Sequence, residues 1–448
     1  MESIKFKQKK LLSLYSNINY DTYKTVSFKI NQLDKSLKKL EIIKFRTQRL
    51  ISLKVFLLKN KNNLINLINL EAHKTKLESK AEFEYALGFV DYSIKVLSSY
   101  EFKSKSINSR NIIYKSIGTV FAITPYNDPL AGITRKIAPS IASGSPLIIK
   151  TSSNCIKLCK YLNDNLPKDL NDILQFIFIK DKSIIDTILQ NQKIKLITFT
   201  GSTDIGIKLN NIKTNHTQKK ILELGGINYA LIFDNHNLDK VIDEIIIRKT
   251  KAAGQACSSI NKLFVHSSVK NEFEKILISK VSKLICGCVT DVVQPHFGPV
   301  ISKNHFKFLN NLEKVSLKNG KLICRSSTNN TTENEYPLTV ITSKINDKIF
   351  DELETFGPLL GVSYFTNNKN IFNKISKSKY SLVCYIFSKS KNIIKMTENL
   401  NFGSIGVNTT KIQDPSCPTG GNNLSGIGRE GGIWGFQEFL TTVNYVKY

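Results

Sequence analysis

The sequence predicts an α/β protein built on parallel sheets. Short apolar runs alternate with helical stretches from about residue 117, and a second alternating region begins near residue 238. Strands that are apolar throughout, rather than at every second residue, are buried on both faces, as in a parallel sheet covered by helices. The length points the same way: 448 residues exceed a single small domain, so two or three are expected.

The elements follow in chain order. The opening "MESIKFKQKKLLSLYS" has lysines but no continuous apolar core and no small-residue cleavage site, so it does not read as a signal peptide. Residues 30 to 100 read as helices, because apolar residues recur three and four apart in "LISLKVFLLKNKNNLINLINL" and "AEFEYALGFVDYSIKVL". Strands are expected at "GTVFAITPY", "SPLIIKTSS", "ILQFIFIK", "IKLITFTGS" and "YALIFDN", with helices at "PLAGITRKIAPSIASG" and "KSIIDTILQN" between them. The second region reads as helices around 238–250 and 268–284, with strands at "KLFVH", "YPLTVIT", "LLGVSYF" and "LVCYIFS". The glycine-rich "PTGGNNLSGIGREGG" reads as an ordered loop, and the tail "LTTVNYVKY" as β-prone. The seam between the two regions is the loop after "ELGG", at 223–226.

Composition narrows the class. Hydrophobic residues make up 41% and charged residues 22%, as in a soluble globular protein, and no apolar run reaches the roughly 18 residues of a membrane helix. The net charge of +28 comes from lysines scattered through helices such as "LDKSLKKLEIIKF", not from one block. It reads as a background bias toward Lys, Ile and Asn, and neither a nucleic-acid nor a membrane partner is expected. Eight cysteines without a secretory signal imply reduced thiols in the cytoplasm. Cys155 with Cys159, and Cys286 with Cys288, have no histidines at ligand spacing, so no metal is expected.

Open parallel sheets bind ligands at the carboxyl ends of their strands. "ITPYNDP" places Asn127 at such an end, "LIIKTSS" places Lys150, Ser152 and Ser153, and "ITFTGSTDIG" places Gly201, Ser202, Thr203 and Gly206 ahead of a helix. Small residues at that turn let backbone N–H groups approach a phosphate. In "KAAGQACSS", Cys257 is a nucleophile only if a base, an oxyanion donor and a cofactor cradle accompany it.

In this order, "ITPYNDP", "FTGSTDIG", "LELGG", "GQAC", "ETFGP", "GSIGVN" and "SGIGREG" resemble the aldehyde dehydrogenase superfamily from about residue 30 to the end. The resemblance implies a Rossmann-like NAD(P)-binding domain (1–98 and 115–224), a second α/β catalytic domain (225–411), a return loop and helix to the cofactor domain (412–436), and a small β oligomerisation element (99–114 and 437–448) that makes a homodimer or homotetramer. It implies oxidation of an aldehyde to a carboxylic acid with NAD or NADP. Cys257 then matches the nucleophile, Asn127 the oxyanion donor and Glu223 the general base, and a glutamate there favours water over coenzyme A as acyl acceptor. Lys150, Ser152, Ser153, Gly201, Ser202, Leu224, Glu354 and Phe356 match the cofactor site.

Ser153 stands where a glutamate would repel a 2′-phosphate, so NADP use is expected beside NAD. "ITRKIAP" and the "CP" before the glycines look like the succinate-semialdehyde branch, where Arg135 matches a carboxylate-binding arginine. Lys251 replaces a second arginine, and its serine partner is missing. A broad-specificity aldehyde dehydrogenase is the alternative, and a catalytically retired binding protein a more distant one. The late loop departs from the family pattern, with Thr419 for an aromatic residue and Asn423 for a lysine.

Overall fold

The structure is a computed structural model that describes residue 13 and residues 18–99, 105–107, 110–233, 237–291 and 294–446. Helices Tyr23–Lys35, Ile43–Lys59, Lys61–Glu71 and Lys76–Ser98 form the N-terminal part. The last starts in a reciprocal cap: Glu78 N donates to Thr75 Oγ1, and Thr75 N donates to Glu78 Oε2. Its Phe83, Ala86, Leu87 and Val90 share one core with Leu130, Ala131, Ile133 and Ile137 of helix Pro129–Ser143. That second helix opens on a proline, whose missing N–H costs nothing there, and stops at Gly144 in the left-handed region. Every residue in it except Pro139 is buried, so any charge it carries is a buried charge.

Two large sheets follow. The first orders its strands Gly426–Ile427, Lys219–Glu223, Ile194–Thr200, Thr119–Ile123, Leu147–Lys150 and Leu174–Ile177, all parallel except the first pair. The second runs Leu322–Arg325, Thr339–Thr342, Leu359–Phe365, Ile260–His266, Asn228–Ile232, Val383–Phe387 and Ser404–Val407, again parallel except for its first pair. The chain crosses between the sheets just after Glu223, and residues 426–427 return to pair with Leu222 and Glu223. The α/β class with parallel sheets is thus the fold observed.

In the two large sheets four strands lie outside the sequence expectation, the first of them Lys219–Glu223. Leu322–Arg325 and Ser404–Val407 are four-residue edge strands, and Gly426–Ile427 sits inside the glycine-rich loop, held by backbone pairing alone. Strand ends also shift. Thr119–Ile123 stops four residues before Asn127, which therefore lies in the loop leading to the next helix.

A third, antiparallel sheet joins Lys105–Ile107, Arg110–Ser116 and Leu440–Tyr445. It uses both segments assigned from the sequence to oligomerisation. Residues 100–104, 108–109 and 447–448 of those segments, and nearly all of the opening stretch, lie outside the described residues. Among the described residues, no helix is long and apolar enough to cross a membrane.

Candidate active site

Cys257 lies between a 3₁₀ turn, Lys251–Gly254, and strand Ile260–His266. Ala252, Ala253 and Gly254 all have positive φ, at 51°, 55° and 73°. Gly254 has no alternative, because a Cβ there would come within 2.5 Å of the Gly357 backbone. The turn is braced from several sides. Asn228 Nδ2 donates to the carbonyls of Cys257 (2.6 Å) and Ser259 (2.8 Å). Tyr385 donates to Ser258 O at 2.9 Å, and Arg248 Nη1 to Ser258 Oγ at 3.0 Å. The Tyr126 hydroxyl donates to Gln255 Oε1 at 3.1 Å, which ties the Asn127 loop to the cysteine loop.

Around the half-buried Cys257 stand Arg135, Asp128, Glu223 and Glu354. Burial pushes its thiol up to about 11; Arg135 pulls the other way, and the three carboxylates add to the rise. Asn127 is buried and directly follows Tyr126, which bonds to Gln255, and among the described residues no hydrogen bond engages its amide. Glu223, at the end of its strand, is buried with Oε1 unpartnered and close to Gly420. Burial raises its carboxyl well above the ordinary value, the neighbouring Glu430 raises it further, and Arg135 and Lys136 oppose.

Sequence reasoning missed the group behind Glu223. Lys136 is buried and binds Thr198 Oγ1 at 2.7 Å and the Glu430 carboxylate. Thr198 also donates to Glu430, at 3.2 Å. Glu430 is clamped through its backbone, donating to Thr419 O (2.8 Å) and accepting from Thr419 N (2.6 Å). Thr419, a departure from the family pattern, thus serves through its main chain. Asn423, the other departure, sits at φ 56°, which asparagine tolerates, and donates to Ser381 Oγ at 3.0 Å.

Arg135 is neither on a solvated face nor free. It is 7% exposed, lies over the rings of Tyr85 and Phe89, and its Nη1 is 3.7 Å from Glu430 Oε2, while Nε has no partner. Lys251 donates to Gln413 Oε1 at 3.0 Å, so a glutamine faces the lysine from the late loop.

The cofactor residues form a second group. Ser202 caps helix Thr203–Asn211 without using its hydroxyl, which leaves that N-terminus open to a phosphate. The Leu224 side chain fills the space above Gly206, and its N donates to Ser425 O at 3.0 Å. Gly201 N donates to Glu223 O at 3.0 Å, tying the phosphate turn to the base. Ser152 Oγ accepts from Asn154 N at 3.3 Å, and Ser153 opens a 3₁₀ turn. Lys150 Nζ donates to Thr151 O at 3.2 Å; burial lowers its pKa, and so does Lys182, a second cation at this corner that the motifs did not flag. Glu354 Oε1 accepts from Gly226 N at 3.1 Å, with burial raising its carboxyl to about 7. Phe356 is held at φ 43°, its carbonyl bonded to the His305 ring at 2.8 Å and its ring edge-on to Tyr126. An uncapped helix end, a basic corner and a carboxylate at Gly226 fit a dinucleotide.

Comparison with known proteins agrees. Residues 28–445 match the aldehyde dehydrogenase family. The chain is 30% identical to a succinate semialdehyde dehydrogenase of Acinetobacter baylyi over 86% of this chain and 81% of that one. It is 28% identical to a glutarate-semialdehyde dehydrogenase of Pseudomonas putida over the same shares. Among solved structures, it is similar to the glyceraldehyde-3-phosphate dehydrogenase of Methanocaldococcus jannaschii complexed with NADP, with TM-score 0.87, 25% identity and 96% of each chain covered. A cysteine among carboxylates, a dinucleotide cradle beside it and a match along almost the whole chain lead to one statement: this protein belongs to the aldehyde dehydrogenase family and is an NAD(P)-dependent oxidoreductase acting on aldehydes.

Proposed function

We propose that the enzyme oxidises a short aldehyde with a carboxylate at its far end, succinate semialdehyde foremost, to the free acid. Cys257 Sγ adds to the aldehyde carbon, giving a thiohemiacetal. The oxyanion is met by the Asn127 amide, which has no competing hydrogen bond among the described residues, and by the Cys257 backbone N–H. NAD(P)⁺ held beside the cysteine would supply the hydride acceptor, and loss of hydride from the thiohemiacetal carbon would leave a thioester on Cys257. Glu223 then removes a proton from water, which attacks the thioester and releases the acid. A carboxylate pushed up by burial and by Glu430 is a stronger base than an exposed one. Lys150, Ser152, Ser153, Gly201, Ser202, Leu224, Glu354 and Phe356 would hold the cofactor. Ser153 with Lys150 and Lys182 favours NADP⁺ use alongside NAD⁺. The residue divisions given above describe the domains, with assembly as a homodimer or homotetramer through the antiparallel sheet.

The observation that carries the substrate reading is Arg135, a buried guanidinium with an unpartnered Nε whose charge reaches Cys257. An arginine fork suits a carboxylate, and Lys251 adds a second cation. Two relatives are named for dicarboxylic semialdehydes. The test compares kcat/KM for succinate semialdehyde and for butanal, which has similar length and no carboxylate. The semialdehyde should be preferred, and Arg135→Ala should cut that preference by at least tenfold. Equal values for the two aldehydes in the native enzyme would leave only the broad-specificity reading.

A further inference from the structure

Asn127 lies in the irregular stretch between strand Thr119–Ile123 and helix Pro129–Ser143, and among the described residues its buried amide has no hydrogen bond of its own. Its place is therefore set by its neighbours in the chain. On the helix side, Asp128 Oδ1 accepts from Lys74 Nζ at 2.6 Å, and that lysine is also held by Glu82. On the strand side, Tyr126 is fixed at its carbonyl, its ring and its hydroxyl. The carbonyl accepts from Cys155 Sγ at 3.5 Å, the ring stands edge-on to Phe356 with centroids 6.2 Å apart, and the hydroxyl donates to Gln255 Oε1 at 3.1 Å. Burial raises the Tyr126 phenol above its ordinary range, so the hydroxyl keeps its proton and remains a donor. Gln255 is 1% exposed and shares the cysteine loop with Cys257. Its Oε1 also accepts from Ile301 N at 2.9 Å, and its Nε2 donates to Ala252 O at 2.9 Å, so the amide is held in one orientation. A short path thus runs from the oxyanion donor to the nucleophile: Asn127, the Tyr126 hydroxyl, the Gln255 amide and the chain to Cys257.

We propose that Tyr126 is a positioning residue for the oxidation: its hydroxyl, bonded to Gln255, sets the Asn127 amide against Cys257. The proposal rests on the reading of Asn127 as the oxyanion donor. Such a donor acts best when it is already aimed at the place where charge develops, because it then need not turn during the reaction. An unpartnered amide on a loop has that order only if its backbone is held. The Tyr126–Gln255 bond is the hold that reaches the cysteine loop directly. Tyr126→Phe keeps the ring beside Phe356 and removes only the hydroxyl.

The experiment is a double-mutant cycle on Tyr126→Phe and Asn127→Ala, with kcat/KM measured in two reactions. One is oxidation of the faster of succinate semialdehyde and butanal. The other is cofactor-free hydrolysis of p-nitrophenyl acetate. There Cys257 Sγ attacks the ester carbonyl and p-nitrophenolate leaves, so an oxyanion forms at the same place without hydride transfer. Tyr126→Phe should lower kcat/KM about tenfold in both reactions, less than the roughly 10²–10³-fold cost of losing a donor outright. KM for NAD⁺ or NADP⁺ should stay within about twofold, because the ring contact with Phe356 survives. In the Asn127→Ala background Tyr126→Phe should cost less than about twofold, since no donor is left to aim. A tyrosine that only held the fold would cost the same in both backgrounds. Asn127→Ser replaces the alanine variant if that one does not fold, which the urea midpoint of each protein checks. A native rate in Tyr126→Phe, or a loss that persists undiminished beside Asn127→Ala, overturns the proposal. In either case a slow Asn127→Ala enzyme leaves the oxyanion reading standing, and only the role of Tyr126 fails. If Asn127→Ala runs both reactions at the native rate, the oxyanion reading itself fails and the proposal with it.

Discussion

At pH 7 a Cys257 thiol near 11 leaves on the order of one molecule in ten thousand as thiolate, and each pH unit upward multiplies that fraction tenfold. Alkylation of Cys257 by iodoacetamide in the cofactor-free enzyme, followed by peptide mass spectrometry, should therefore climb about tenfold per unit from pH 7 to 10. A plateau above pH 8.5 would show an ordinary thiol, and the exposed Cys417 reports on reagent access. Glu223→Gln should slow deacylation by about 10²–10⁴-fold, the usual contribution of a general base. A covalent thioester should then appear in the intact mass after one turnover; a native steady-state rate with no adduct would remove Glu223 from that role. The roles proposed for these two residues and for Asn127 come from short local motifs that resemble those of the family. No such motif gives a role to Lys136, Asp128 or Gln413. Lys136 meets Glu430 across 294 positions, and Gln413 meets Lys251 across 162, separations no local pattern records.

The cysteine turn is a strained element, with three successive residues at positive φ. Two alanines at positive φ cost about 1–2 kcal/mol each, so surrounding bonds must hold them. Asn228 is the main brace. It is fully buried, donates to Cys257 and Ser259, and accepts from Val383 N at 3.0 Å, so it links the turn to the strand next to its own. Asn228→Ala strands those groups without partners. It should lower stability by about 2–4 kcal/mol, read from a urea denaturation midpoint, and reduce turnover with every aldehyde. A loss below about 0.5 kcal/mol would mean that the strain is held elsewhere. Most elements were readable from the sequence, since continuous apolar runs such as "LLGVSYF" have no competing period. The turn's strain was not, because "KAAGQAC" contains nothing unusual for a helix; the Gly357 backbone, which leaves no room for a side chain at Gly254, is about a hundred positions away.

For the molecule as a whole, the antiparallel sheet presents Ile107, Val443 and Tyr445 to solvent. Apolar side chains on a sheet of only three strands fit burial against a second copy. The enzyme should run as a dimer or tetramer in light scattering after size exclusion. Val443→Asp with Tyr445→Lys should shift it to smaller species at micromolar concentration. A native monomer would refute assembly through this sheet. The division into two alternating regions was visible from length and texture. The closing of the first sheet by residues 426–427 was not, since a glycine loop carries no strand signature.

That closing pair bears on when the enzyme can become whole. Residues 419–430 supply Glu430 to Lys136, a neighbour to Glu223 at Gly420, and the edge strand of the first sheet. On a ribosome adding roughly 5–20 residues per second, Lys136 waits about 15–60 s for its counter-charge. Until then the first sheet has an open edge beside Glu223 and an unpaired ammonium in its core. The nascent chain is thus expected to stay protease-sensitive at the cofactor half until its last segment emerges. Limited proteolysis of chains stalled before and after residue 432 measures this directly; equal resistance in both would show that the first half folds without its final strand.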